Sequence, residues 1–291
     1  MDKGRDGGYI TAHPIEKGTD NMDFATLAPL LALLLATGAV AGVIAGLLGV
    51  GGGIVLVPAF LFVFTQLGFD GPDIMRVCLA TSLATIVVTS IRSVSSHYAK
   101  GAVDMGILKG WAPGIVLGTI LGVWLATQLD TQALKLIFGA LVLIVGLWLA
   151  FGSAKWTIAP RMPSEPLRSA MSFTVGALST LMGIGGGSFG VPIMTLFGRP
   201  IHTAVATAAG FGLLIAVPSV LGFLIAPATN APPLTIGSVN LIAFVVVVAM
   251  TWVTTPLGVK LAHATDAGRL KRLFGGFLLL VAARMIWSVL F

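Results

Sequence analysis

Two glycine clusters hold the residues best suited to chemistry in this chain. Gly49-Val-Gly-Gly-Gly-Ile-Val-Leu-Val-Pro58 recurs as Gly183-Ile-Gly-Gly-Gly-Ser-Phe-Gly-Val-Pro192. The triplets Gly51, Gly52, Gly53 and Gly185, Gly186, Gly187 break a helix, because glycine is poor in helix interiors and free to take positive φ. Each is followed by a short apolar run, 54–65 and 188–198, reaching only about 18 Å at 1.5 Å per residue. Such a half-helix turns its free N–H groups and the positive end of its dipole toward the glycines. Two of them facing each other make an anion site with no buried cation. Pro58 and Pro192 each release a further carbonyl. The competing reading is that the glycines only let helices pack closely.

Hydroxyls come next. Thr81 and Ser82 lie inside an apolar run, and Thr207 holds the matched place in the second copy. A hydroxyl donates to an oxyanion at less desolvation cost than a charge; its alternative partner is the carbonyl one turn earlier. Ser188 opens the second short run where the first copy has Ile54, so the expected substrate-binding set is asymmetric. Arg76, Arg92, His97 and His202 sit toward helix ends, where anion attraction or gating competes with interfacial snorkelling. Gly106, Gly110, Gly114, Gly118 and Gly122 form a stripe at four-residue spacing, the small-residue signal for helix packing.

Other chemistry fares less well. Gly186-Gly187-Ser188-Phe189-Gly190 fits G-x-S-x-G, so an intramembrane serine hydrolase competes. A nucleophile elbow needs a strand–turn–helix setting and an orienting acid, neither visible in the sequence, and no catalytic residue is assigned. The chain is read as a transporter rather than an enzyme, with a passive anion channel as the other alternative. The single Cys78 and four scattered histidines predict no metal site, and no cofactor is expected.

The elements that position these residues must lie in a bilayer. Of 291 residues, 56% are apolar and 10% charged, with a mean hydropathy of +1.00. A soluble domain carries roughly 25% charged residues, so this chain cannot cover a water-facing surface. The excess of Lys and Arg, 17 against 11 Asp and Glu, forms no basic stripe with aromatic interleaving, which argues against nucleic acid. Apolar runs fall at 27–48, 54–65, 76–96, 105–127 and 132–151, then at 168–183, 188–198, 202–226, 236–259 and 271–291. Most are about 20 residues, enough to span roughly 30 Å of hydrocarbon.

Residues 1–24 read as a mobile polar tail without the features of a signal peptide. Residues 152–167, with three prolines, read as an aqueous linker between a first repeat (25–151) and a second (168–291). Besides the glycine clusters, Ala80-Thr81-Ser82 matches Ala206-Thr207-Ala208, and Leu134-Lys135-Leu136-Ile137-Phe138-Gly139 matches Leu270-Lys271-Arg272-Leu273-Phe274-Gly275. The expected fold is all-α: two inverted repeats, each a glycine-interrupted hairpin plus three transmembrane helices, because an odd number of full crossings inverts the second copy. If the hairpin instead supplies one crossing, the copies are parallel. Placing the 97–105 loop and the linker inside collects Arg92, Lys100, Lys109, Lys155, Arg161, Arg168, Arg199, Lys260, Arg269, Lys271 and Arg272 there, as the positive-inside rule requires. Both termini are then outside, in the inner membrane of a bacterium.

The repeated Gly-x-Gly-Gly-Gly-x-x-x-Val-Pro signature, the Ala80-Thr81-Ser82-Leu83 run, and His97 followed by Gly101-Ala-Val-Asp104 resemble the TauE/SafE family of sulfite and organosulfonate exporters. The resemblance runs from about residue 27 to the C-terminus. It implies a secondary transporter whose partners are the bilayer and a small anion such as sulfite or a sulfonate; a homodimer stays open. The second half departs from the pattern, with Ala208 for Ser82 and Asn240 where Asp104 is matched.

Overall fold

The computed structural model describes residues 24–48, 52–152, 157–264 and 267–290. The expected tail up to residue 23, together with Gly51 and Lys155, lies outside the described residues. Among the described residues the chain is all-α apart from one short hairpin. The first half contains α1 (Phe24–Leu48), α2 (Gly53–Gln66), α3 (Ile74–Ala99), α4 (Met105–Gln128) and α5 (Thr131–Phe151). The second contains α6 (Leu167–Leu181), α7 (Gly187–Leu196), α8 (Ile201–Leu224), α9 (Leu241–Ala264) and α10 (Ala267–Leu290).

Among the described residues six helices are long and apolar enough to cross a membrane: α3, α4, α5, α8, and the stretches Leu241–Gly258 and Arg272–Leu290 of α9 and α10. In α3 and α8 the spanning stretch is 78% and 61% buried, against 28–39% in the other four, so these two form the centre. The short helices α2 and α7 have 14 and 10 residues, about 21 and 15 Å at the usual rise.

Helix starts follow the capping rules. Asp104 and Asp130 sit in extended backbone, and each carboxylate accepts from the N–H three residues on, at Ile107 (3.0 Å) and Ala133 (2.9 Å). Asn240 does the same for α9 by accepting from Ala243 N at 3.0 Å. The apolar run expected from residue 236 therefore becomes helical only at Leu241. Ahead of it, β1 (Thr235–Ile236) and β2 (Val239–Asn240) pair antiparallel around Gly237, whose φ of 60° favours glycine.

The halves interlock. Helix α1 packs on α9, α4 on α6, α5 on α10, and α3 on α8. Exchanging each helix for its counterpart five places along returns the same set of pairs. Directions follow from the close contacts. Gly139 meets Ala282 and Ile286, Gly146 meets Leu278 and Leu279, and Gly275 meets Ala150, so α5 and α10 run antiparallel. Gly110, Gly114, Gly118 and Gly122 meet Arg168, Ser172, Phe173 and Ala177 in turn, so α4 and α6 run parallel and the glycine stripe is their seam. Gly38 against Val247 and Gly42 against Thr251 make α1 and α9 parallel in the same way.

These directions sort the loops onto two faces. The linker face carries the 100–104 loop, the described part of the linker, and the α7–α8 turn, where Ile158 N donates to Leu196 O at 2.7 Å. The opposite face carries the α2–α3 turn, which accepts from the start of α5 (Thr131 N to Pro72 O, 2.8 Å), and the long 225–240 connection.

Candidate anion site between the two halves

The glycine loops meet across the halves. Gly53 opens α2 so close to Gly183 O, Ser82 Oγ and Ile86 that a Cβ there would lie 2.6, 3.0 and 2.9 Å from them. Ser82 Oγ donates to Gly183 O at 2.7 Å. Gly183 has a φ of 62°, and Gly52, the N-cap of α2, has 69°; both turns need a residue tolerant of the left-handed region. Gly186 has an ordinary φ of −64° and is small for a different reason, since a side chain there would overlap Phe211 of α8. Gly185, Gly186, Gly187 and Ser188 are all buried.

Ser188 stands in the first turn of α7, 5% exposed, and its Oγ has no hydrogen-bond partner. Ser179, near the end of α6, is fully buried and its Oγ is likewise unpartnered. The two orphan hydroxyls bracket the Gly183–Gly187 loop in sequence. A buried polar group without a partner is uncommon and costs free energy, so two of them point to something polar that completes them. The orphan N–H groups of the first turn of α7 belong to the same locus. Thr119 of α4 is the third such hydroxyl among the described residues. Ser179 and Thr119 escaped the sequence reading; a lone hydroxyl within an apolar run beside a glycine cluster was the available signal.

Thr81 and Thr207 are brought to matched places, but not as bonds to their own helix. Thr81 Oγ1 accepts from Asn240 N at 3.0 Å, and Thr207 Oγ1 accepts from Asp104 N at 2.9 Å. Each ties the cap of a helix in the other half. Thr85, by contrast, bonds back to Ser82 O at 2.7 Å. Ala208 stands where Ser82 would be and packs near Gly190, so the clasp between helix and glycine loop exists only once among the described residues.

The expected cations divide. Arg76 does not snorkel: it is 6% exposed, donates to Ser238 Oγ (3.2 Å), Pro227 O (3.0 Å) and Thr127 O (3.5 Å), and pairs with Asp73 at 3.1 Å. With its fork committed to the opposite face, it is a structural tie. Burial opposes ionisation of Asp73. The N–H and O–H of Thr229 and the nearby Arg76 outweigh it and hold the carboxyl below its ordinary value. Arg92 lies over the Trp252 ring at 4.3 Å and donates to Trp252 O at 3.3 Å. His97 is partly exposed in the last turn of α3, and His202 is exposed in the first turn of α8. Neither joins the glycine loops. The sequence reading also missed the pairing of Arg199 with Asp104, at 3.7 Å on the linker face.

The G-x-S-x-G match finds a different setting. Ser188 follows a helix and a glycine turn rather than a strand, and its unpartnered Oγ has no base bonded to it.

The chain is similar to proteins described as probable membrane transporters. A probable membrane transporter protein of Haemophilus influenzae is 30% identical over 256 residues, covering 87% of this chain and 97% of that protein. A probable membrane transporter protein of Methanocaldococcus jannaschii is 26% identical over 256 residues, covering 86% and 92%. The probable membrane transporter protein YunE of Bacillus subtilis is 25% identical over 279 residues, covering 89% and 98%. Residues 34–285 match the sulfite exporter TauE/SafE family. With these matches and its buried, glycine-broken helices, the chain is a multi-pass membrane transporter and belongs to the TauE/SafE family.

Proposed function

We propose that the chain exports a small sulfur-containing oxyanion, sulfite or an organosulfonate, through a central site made by the Gly183–Gly187 loop, the first turn of α7 and the facing Gly52–Gly53 turn. The carrying observation is the unpartnered, buried Ser188 hydroxyl at the start of α7. It offers a donor beside orphan N–H groups and the positive helix end, and together these solvate an oxyanion without a buried cation. Ser82 acts indirectly, by fixing Gly183. The description of the family as sulfite exporters supports the substrate class.

The antiparallel packing of α5 and α10, which are counterparts in the duplicated sequence, supports inverted repeats about an axis in the membrane plane. Lys100, Lys109, Arg161, Arg168 and Arg199 on the linker face support a cytoplasmic placement of that face in a bacterial inner membrane, with both termini outside. Export then needs no coupling ion. About 2.3 kcal/mol per elementary charge per 100 mV drives a monovalent anion outward to roughly a 40-fold ratio.

Flux in proteoliposomes under an imposed potential, at equal pH on both sides, tests the reading. Saturable sulfite or sulfonate flux that follows the potential and shows counterflow is expected. Flux that ignores the potential and follows a pH gradient, or no flux of any sulfur oxyanion, would overturn it.

A further inference from the structure

The two ends of the pseudo-symmetric core are fastened differently. On the opposite face the 225–240 connection is locked to the first half by Arg76, whose side chain is only 8% exposed and bonds Ser238 and Pro227. Asp73 adds bonds from Thr229 N (2.9 Å) and Thr229 Oγ1 (2.7 Å), and Thr81 holds Asn240 N. The matched connection on the linker face, Lys100–Asp104, is fastened to the second half by much less. Thr207 takes Asp104 N at 2.9 Å, and Arg199 NH1 reaches Asp104 Oδ2 at 3.7 Å. The side chains of that pair are 41% and 24% exposed, so water and salt screen it.

Arg199 also sits at a mechanical junction. Its N–H caps α7 by donating to Met194 O at 2.9 Å, and α8 begins two residues later. One residue beyond Thr207, Ala208 packs beside Gly190 of α7, within a turn of Ser188. Loss of the Arg199–Asp104 pair leaves Thr207 as the single hydrogen bond between the 100–104 loop and α8 among the described residues.

We propose that Arg199 and Asp104 form the gate on the linker face, and that a substrate oxyanion opens it by competing with the Asp104 carboxylate for the Arg199 guanidinium. The proposal rests on the anion-carrier reading. The chemistry is an exchange of one carboxylate partner for another oxyanion at a planar fork suited to both. At the matched place in the other half the cap is the neutral Asn240, and the guanidinium–carboxylate pair on the opposite face, Arg76 with Asp73, is held by further bonds to Ser238, Pro227 and Thr229.

Access to a buried reporter tests the gate without relying on transport. Ala208→Cys, 1% exposed, is labelled with a membrane-impermeant maleimide in vesicles that present the linker face. Native Cys78, 0% exposed, sets the background. Arg199→Gln and Asp104→Asn should each raise the labelling rate at least about tenfold, and Arg199→Lys should stay within about threefold of the parent. Methanesulfonate, which does not react with maleimide as sulfite does, should accelerate labelling of the parent where gluconate does not, and should leave Arg199→Gln unchanged. An unaltered rate in Arg199→Gln, a Lys variant that behaves like Gln, or anion acceleration that persists without Arg199 would each overturn the gate. If the first reporter fails to insert, Ser188→Cys gives the comparison of variant labelling rates without added anion, since Ser188 belongs to the proposed anion site. Absent sulfite flux in proteoliposomes would sink the substrate reading while leaving the variant labelling rates readable, so the two failures are distinguishable.

Discussion

Ser82 and Gly183 lie in different halves of the chain, yet Ser82 Oγ donates to Gly183 O at 2.7 Å in a fully buried setting. That bond pins the glycine loop preceding α7 to the central helix α3. It also uses up the hydroxyl that the sequence nominated for substrate. In the proposed site the donor is therefore Ser188, whose hydroxyl has no partner.

Removing the clasp should be felt as instability. Ser82→Ala leaves Gly183 O unpaired in the core, at a cost of about 1–3 kcal/mol. A lowered melting temperature in detergent is expected, with flux reduced in parallel. A melting temperature equal to the parent's would show that the bond is not holding the loop.

Ser188→Ala should do the reverse. The hydroxyl loses no protein partner, so stability should stay within about 1 kcal/mol of the parent or rise slightly. Half-saturating sulfite should increase about tenfold if one neutral donor bond to an anion, worth about 1.5 kcal/mol, is lost. Unchanged saturation in proteoliposomes counts against Ser188 as a ligand.

Arg76→Met should destabilise by about 3–5 kcal/mol, since it leaves Asp73 in place without its cation. Lysine cannot reproduce the three-way fork to Ser238, Pro227 and Thr127, so Arg76→Lys should recover only part of the loss. Thermal unfolding of both variants decides whether the residue is the structural tie its contacts describe.

Acid should weaken the same tie. The carboxyl of Asp73 is held below its ordinary value of 3.8 in the folded chain. Its contribution is therefore present above that value and is lost as pH falls through the lower folded one. The stability gap between the parent and Asp73→Asn should be full at pH 6 and shrink below about pH 4. A gap independent of pH over this range would contradict it.

The glycine stripe makes a graded prediction. Gly118 presses on the Phe173 carbonyl, whereas an added Cβ at Gly106 would meet only Asp104 Oδ1, at 3.2 Å. Gly118→Ala should cost about 1–3 kcal/mol, as overpacking does, and Gly106→Ala much less. For the same reason Gly52→Val and Gly186→Val would damage packing against Ala41 and Phe211, so their loss of transport would not isolate an anion site.

The sequence by itself determined the membrane class, the duplication and nearly every helix, because twenty-residue apolar runs and glycine breaks are local signals read by length and composition. It also singled out Thr81, Ser82, Thr207 and Ser188. Only the tertiary structure decided what each does, since hydroxyls in apolar runs look alike until their partners are known. Ser82 and Gly183 are 101 residues apart, Thr81 and Asn240 159, and Arg76 and Ser238 162. No local pattern encodes such partners. They arise because the helices of one half pack between those of the other, and a buried polar group must then be satisfied by whatever the opposing half brings within reach. Arg76 became a tie, Arg199 met Asp104, and Ser188 was left open for that physical reason.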